Sequence, residues 1–262
     1  MKASLIIPTL NEAASIGHVL EIFRAAAASA NPVLFPRDPL DWEILVVDGE
    51  STDGTREIAE RLGARVVLER RRGYGRAYRT GFAAAQGEVL ATLDGDATYP
   101  AEEVPRLVRY LLDHRLDFLT CDRLADLDEK AMTREHRIGN FVLNWLLRLA
   151  YHRFVKASGG NGIRDSQSGM WVFRRAILDQ VRLTQDGMPM SEELKIEVLL
   201  RGLKFEEVPI HYAERWGAPK LSSWRDGEKN LRFLLTKRLA LQREIRRATP
   251  PSVARAESIT PR

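Results

Sequence analysis

Two carboxylates separated by one glycine, Asp94-Gly95-Asp96, follow the apolar run Val89-Leu90-Ala91-Thr92-Leu93. Leaving a strand end together, such a pair can approach one cation, and hard oxygen ligands with room for water and phosphate suit Mg2+ or Mn2+. The ion would bridge a diphosphate and neutralise the charge that develops on a leaving group. The plain alternative is a solvated Asp-Gly turn. A third acid, Asp48, directly follows Ile44-Leu45-Val46-Val47, where a carboxylate can accept from the N–H edge of a uracil or guanine base. Asp53 reads first as the cap of a helix opening at Thr55, a role Ser51 could also fill. Glu192 and Glu193 open a helix after Pro189-Met190-Ser191. Either could take the proton of a hydroxyl acceptor, or both could be first-turn carboxylates favoured by the helix dipole, with Ser191 as cap.

Glycines and arginines supply the complementary chemistry. Arg71 and Arg72 precede Gly73-Tyr74-Gly75 at a helix start, where backbone N–H groups and positive charge could hold a diphosphate. An exposed basic loop is the rival reading. The dinucleotide fingerprint fails because position 78 is Tyr78, and no Gly-Lys-Ser/Thr phosphate loop is present.

The elements that must position these residues alternate in the first half. Strands are predicted at 3–7, 43–47, 65–68 and 88–93, and helices at 12–28, 55–62 and 75–85. This is βαβ punctuation and implies four parallel strands, whose carboxyl ends are where open α/β sheets bind ligands. Pro32, Pro36 and Pro39 suggest an irregular connection before the second strand. The second half is less regular: a strand at 118–121, a helix at 136–154, a glycine-rich loop at 158–162, a strand at 170–173, a helix at 191–201 and a strand at 204–209. A polar segment follows at 213–226. The expected organisation is a catalytic domain over 1–225, a basic amphipathic helix over 226–248 and a disordered tail over 249–262.

Composition narrows the class. The 262 residues are 44% apolar and 29% charged, enough for one α/β domain with a sizeable core. From Asp226 onward nine Lys/Arg face four acids, whereas before it 31 face 32. The body is therefore not that of a nucleic-acid-binding protein. The lone Cys121 and the absence of a visible export signal point to the cytoplasm. The longest charge-free apolar stretch, between Arg137 and Arg148, falls short of the ~20 residues a membrane span needs.

The blocks Ile6-Ile7-Pro8-Thr9-Leu10-Asn11-Glu12, Val46-Val47-Asp48-Gly49-Glu50-Ser51-Thr52-Asp53-Gly54-Thr55, Gly73-Tyr74-Gly75 and Asp94-Gly95-Asp96 together resemble the family 2 glycosyltransferases of GT-A fold. Asp165-Ser166-Gln167-Ser168-Gly169-Met170 and Arg215-Trp216-Gly217-Ala218-Pro219-Lys220-Leu221 look most like their dolichol-phosphate mannose synthase branch. The resemblance covers roughly residues 3–225. It implies a Rossmann-like, mostly parallel sheet with helices on both faces, and transfer of a hexose with inversion. Pro8, Thr9, Glu12, Asp48, Arg72, Gly73, Asp94 and Gln167 would then bind the nucleotide sugar, with Asp94 and Asp96 on the metal. Where the family commonly has Asp-Asp-Gly-Ser, this chain has Asp48-Gly49-Glu50-Ser51, so the donor stays open between GDP-mannose and UDP-glucose.

The acceptor divides the chemistry. A hydroxyl needs a base, whereas a phosphate, with a second pKa near 6, is already an anionic nucleophile and needs cations to hold it. Arg123, Arg137, Arg215 and Lys220 stand at positions resembling those where the polyprenyl-phosphate branch clamps its acceptor. Two apolar features also suit a lipid. Residues 138–147 are apolar on most of a helical circumference, which means burial or contact with acyl chains, core packing being the simpler reading. Leu231, Leu234, Leu235, Leu239, Leu241 and Ile245 share one arc of the last helix, with Lys229, Arg232, Lys237, Arg243 and Arg247 mainly elsewhere. Such a helix suits an anionic membrane surface or docks on the domain. The expectation is a peripheral enzyme passing a hexose to a polyprenyl phosphate. The alternatives are transfer to a hydroxyl with Glu192 or Glu193 as base, and a non-catalytic nucleotide-sugar-binding scaffold.

Overall fold

The computed structural model describes residues 1–157, 162–217 and 223–248, with backbone alone for 155–157, 223–226 and 244–248. The β-branched runs form β1 (Lys2–Thr9), β2 (Asp41–Asp48), β3 (Arg65–Leu68) and β4 (Val89–Thr92). All four pair in parallel, β1 lying between β2 and β4. Between them run α1 (Ile16–Leu34), α2 (Thr55–Arg61) and α3 (Tyr74–Ala84). The second half adds α4 (Val104–Asp113), β5 (Phe118–Leu127), α5 (Arg134–Ala157), β6 (Trp171–Arg174), α6 (Met190–Leu200), β7 (Phe205–Tyr212) and α7 (Ser223–Ala248).

One seven-stranded sheet results, in the order β3-β2-β1-β4-β6-β5-β7. β6 runs antiparallel to both β4 and β5, while β5 and β7 are parallel. Both faces are covered, which is why the inner strands are apolar without alternation. Leu5, Ile7 and Val46 pack with Val19, Phe23, Val104 and Val108 on one face. Ile6, Leu45 and Val47 pack with Tyr78, Leu147, Leu194 and Phe233 on the other. α7 is thus docked on the domain through Phe233 and Leu234, while Leu231, Leu235 and Leu239 stay exposed. The single apolar arc read from the sequence is therefore split, and the Ile245 side chain lies outside the described residues.

Several boundaries differ from expectation for physical reasons. α1 begins at Ile16 instead of Glu12 because the preceding residues are held as a turn: Glu12 N donates to Thr55 Oγ1, and Ser15 Oγ donates to the Gly95 carbonyl. It continues through Pro32 to Leu34, and the Asn31 amide closes the connection by pairing with both N and O of Leu40. The cap of α2 is Gly54, at φ 94°. Asp53 instead ties the loops together, accepting from the N–H groups of Ala13 and Thr55. Residues 158–161, 218–222 and 249–262 lie outside the described residues, and with them most of the glycine-rich loop, Lys220 and the terminal tail. Among the described residues no helix is long and apolar enough to cross a membrane.

α3 sits so close to the sheet that a Cβ at Gly81 would lie 2.5 Å from Ile6 Cγ2 and 3.1 Å from Val47 Cγ2. Alanine is favoured over glycine in a helix by about 1 kcal/mol, but overpacking a core costs about 1–3 kcal/mol. Gly81→Ala is expected to lower the unfolding free energy by about 1–2 kcal/mol. A urea titration showing a gain in stability would contradict this seating of α3.

Candidate active site

Parallel pairing of β1 with β2 and β4 delivers three loops to one edge: Thr9 stands opposite Asp48, and Ile6 opposite Thr92. The Asp94-Gly95-Asp96 turn therefore abuts the segment after β1. A Cβ on Gly95 would lie 3.0 Å from Thr9 Cγ2 and 3.4 Å from Glu12 Cγ, so glycine is what lets the turn slide beneath it.

The two acids are held differently. Tyr78 donates to Asp94 Oδ1 at 3.1 Å. Asp96 Oδ1 accepts the Thr98 hydroxyl at 2.6 Å and its N–H at 3.2 Å. Asp96 Oδ2 faces Arg215 at 3.3 Å, and the same guanidinium reaches Glu12 at 3.0 Å. Burial, and then the charge of Asp96, push the Asp94 carboxyl up to about 7, with Tyr78, Arg123 and Arg215 pulling the other way. Among the described residues no group of three or more metal-ligating side chains is assembled. Two carboxylates suit an ion that keeps water and takes phosphate oxygens, as Mg2+ does, and do not suit an all-protein cage.

The loop between α5 and β6 closes the site from behind. Asp165 is fully buried and receives Arg123 through two bonds of 2.7 and 2.9 Å. Burial alone would raise its pKa, but the Arg123 charge and hydrogen bonds bring it below the usual carboxylate value. Arg123 also lies over the Tyr212 ring, 5.3 Å from its centroid. Lys195, fully buried on α6, donates to the Asp165 carbonyl; burial depresses its pKa to about 8, against the pull of Asp165 and Glu207. Gln167 donates to Glu192 and accepts from Asn230 of α7 at 2.6 Å. Tyr99 accepts the Gly169 N–H at 2.7 Å.

Thr9, Glu12, Asp94, Asp96 and Arg215 are thus brought together, with Arg123 and Gln167 behind them and Pro8 alongside. The remaining expected residues have partners within the chain or lie at the surface. Asp48 is fully buried at the end of β2, paired with Arg56 at 2.9 Å and accepting from Ser51 N at 3.1 Å. The start of α3 is not an open phosphate cradle: Arg76 N donates to the Asp186 carbonyl, and Arg76 and Arg79 both pair with its carboxylate. Gly73 and Gly75 are there because a Cβ on either would collide with the backbone of residues 185–187. Arg71 is taken by Glu69, while Arg72 is exposed beside them. Glu193 accepts from Thr184 N, Thr184 Oγ1 and Gln185 N, which makes it a clamp on that covering loop. Ser191 is no cap, since α6 begins at Met190 with Pro189 before it. Glu192 is fully buried, and burial, partly offset by Gln167, raises its pKa well above normal. Arg137 is exposed near the start of α5.

Reasoning from sequence missed Tyr78, Tyr99, Asp165 and Lys195. Tyr78 was visible only as the residue that spoils a dinucleotide fingerprint; its period on α3, facing the sheet, was the available signal.

The glycosyl transferase family 2 model matches residues 4–182. The low-salt glycan biosynthesis hexosyltransferase Agl6 of Haloferax volcanii is 32% identical over 88% of this chain, which spans about half (52%) of that protein. A dolichyl-phosphate hexose transferase of the same organism is 33% identical over 86% of this chain and 88% of its own length. Glucosyl-3-phosphoglycerate synthase from Mycobacterium tuberculosis, solved with Mn2+, UDP-glucose and phosphoglyceric acid, shares the fold. It has a TM-score of 0.68 at 22% identity, covering 90% of this chain and 79% of that one.

The raised Asp94 pKa sets a pH dependence for chelator-treated protein. The folded chain holds this proton up to about pH 7, whereas the unfolded chain loses it near pH 4. The stability it contributes is complete below the unfolded pKa and is lost as pH rises to about 7, because the folded state binds more protons in that window. Asp94→Asn should remove this slope from urea midpoints compared at low and neutral pH. Equal slopes in both proteins would refute the assignment.

Proposed function

We propose that this chain, which belongs to glycosyl transferase family 2, moves a hexose from GDP-mannose or UDP-glucose to the phosphate of a polyprenyl phosphate, inverting the anomeric carbon. The observation that carries this reading is the junction of Asp94 and Asp96 with Arg215, Arg123 standing behind, at the carboxyl edge of β1 and β4. Asp94 and Asp96 would hold Mg2+ or Mn2+, which supplies positive charge to the diphosphate leaving group. Thr9 and Glu12 line the same edge. Thr9 Oγ1 is buried with no partner among the described residues, a group suited to a ligand oxygen.

The phosphate oxygen attacks the anomeric carbon as the bond from that carbon to the diphosphate breaks, and the nucleoside diphosphate departs. An anionic nucleophile needs no base. That matches a site where Glu193 is fully engaged by Thr184 and Gln185, and Glu192 is buried against Gln167 with its pKa raised. The dolichyl-phosphate hexose transferase among the relatives and the Mn2+ and UDP-glucose of the synthase sharing the fold support the same assignment.

The outer surface supports a lipid acceptor. Ile138, Phe141, Val142, Trp145 and Leu149 of α5 are 43–70% exposed and fall within about 100° of one helical face. Leu231, Leu235 and Leu239 of the adjoining α7 are exposed too. Arg134, Arg137, Arg148 and Arg153 flank the α5 stripe and are exposed. Apolar residues rimmed by cations suit a bilayer with anionic headgroups, whereas a second copy would bring like charges together. On this reading the enzyme is peripheral, working from the cytoplasmic face of a membrane.

Purified protein given labelled GDP-mannose or UDP-glucose with polyprenyl phosphate should put label into organic-extractable lipid. EDTA should stop it, and Asp96→Ala should slow it about 100-fold or more while leaving the circular dichroism unchanged. Equal labelling of unphosphorylated polyprenol, or indifference to EDTA, would overturn the reading. Phe141→Glu with Trp145→Glu should release the protein from anionic vesicles in flotation while transfer in detergent continues. Undiminished flotation would remove α5 from the membrane contact.

A further inference from the structure

We infer that Arg215 is the resident counter-cation of the Asp94-Gly95-Asp96 turn, and that residues 213–217 form a strap which a divalent ion must displace to reach Asp96. The inference rests on the reading of Asp94 and Asp96 as the ion's ligands. Both oxygens of Asp96 are in use: Oδ1 takes two bonds from Thr98, and Oδ2 faces the Arg215 guanidinium at 3.3 Å. Thr98 is buried on the turn itself and cannot leave it. Arg215 is 26% exposed, on a flexible stem, and comes from a segment 203 residues from its other partner Glu12. It is therefore the partner that gives way.

The strap has a defined seat. Ala213 N donates to the Thr98 carbonyl and Trp216 N to the Asp96 carbonyl, at 3.0 and 3.1 Å. The Trp216 indole stacks on the His18 ring of α1, with centroids 4.5 Å apart and planes 15° from parallel. The backbone of the acidic turn and its carboxylate are thus covered by the same five residues. Taking Oδ2 from Arg215 removes the one charged tie of this segment to Asp96, leaving the Arg215 pair with Glu12, the backbone bonds of Ala213 and Trp216, the Glu214 N–H bond to Asp128 and one partly exposed ring stack. The released guanidinium then stands beside the bound ion with a positive charge to offer a phosphate. Loading of the ion and positioning of the acceptor clamp become one event.

The test is ion affinity in the full chain, without substrate. Free Mn2+ followed by electron paramagnetic resonance should show Arg215→Gln binding Mn2+ about fivefold to tenfold more tightly than the parent, since a partly exposed ion pair is no longer in competition. Arg215→Lys should fall between them. Mg2+ should change the tryptophan emission of the parent, and Trp216→Phe should abolish that change. If Mn2+ binds but Arg215→Gln binds it equally or less tightly, or Mg2+ leaves the emission unmoved, the counter-cation inference fails while the metal reading stands. If neither protein binds Mn2+, with or without UDP, the metal reading fails and takes the inference with it.

Discussion

Carboxylates at the end of a buried strand are costly unless something positive or hydrogen-bonding faces them, and much of this molecule is arranged around that constraint. β4 is buried along its length, and Asp94 emerges from it into surroundings that raise the cost of ionising it, with Asp96 close by. Tyr78 from α3, Thr98 from the turn and Arg215 from beyond β7 each answer part of that cost. These groups come from three separate stretches of chain, and their convergence holds α3, the turn and the strap in one place. Such a pair of acids favours whatever positive charge comes to face it.

The second half of the chain solves a related problem with a fixed internal ion pair. Arg123 and Asp165 are both buried, joined by two hydrogen bonds, and braced by Lys195 on the Asp165 carbonyl. Removing one partner of such a pair is expensive, at about 3–5 kcal/mol, so the loop carrying Gln167 has little freedom. Gln167 joins Glu192 of α6 to Asn230 of α7. Lys237 adds a 2.6 Å pair to Glu197. α7 is therefore tied to the site by polar bonds and not merely by its apolar face, which couples the outermost helix to the loop behind Asp94.

The parallel half was legible because its signals are local. Runs such as Ile44-Leu45-Val46-Val47 mark a strand covered on both faces, and acids directly after them fall at the ligand edge. Asp94, Asp96, Glu12 and Thr9 were read at that edge, and the structure brings them together. Much of what the sequence did not show is long-range. Nothing near Arg215 in sequence announces that it meets Glu12 and Asp96, and nothing near Gly73 announces the backbone of Asp186. Asp48 stands where the positional rule puts it, and its partners Arg56 and Ser51 are local. β5 extends to Leu127 past the expected Cys121 because a register irregularity between Asp122 and Asp126 lets a polar stretch keep pairing with β7. The strand pattern of alternating burial is broken there, so periodicity alone stops short.

α5 shows why burial cannot be read from apolar content. Leu143, Leu147 and Tyr151 turn inward, whereas Phe141 and Trp145, apolar to the same degree, turn outward at 70% and 55% exposure. A folded domain in water gains nothing by exposing two aromatic rings and three aliphatic side chains on one helical face. Their position becomes intelligible when the acceptor is amphiphilic. In the proposed reaction the donor, a soluble nucleotide sugar, can diffuse to the sheet edge, whereas a polyprenyl chain stays in a bilayer and its phosphate is reachable only near the headgroups. An enzyme joining the two must carry its cationic clamp on elements that also carry an apolar surface. On that proposal the apolar surface belongs to α5 and α7, which pack together in the second half, while the proposed donor residues Thr9, Glu12 and Asp94 belong to the first. The sheet order, with β6 inserted antiparallel between β4 and β5, is what sets the two halves side by side.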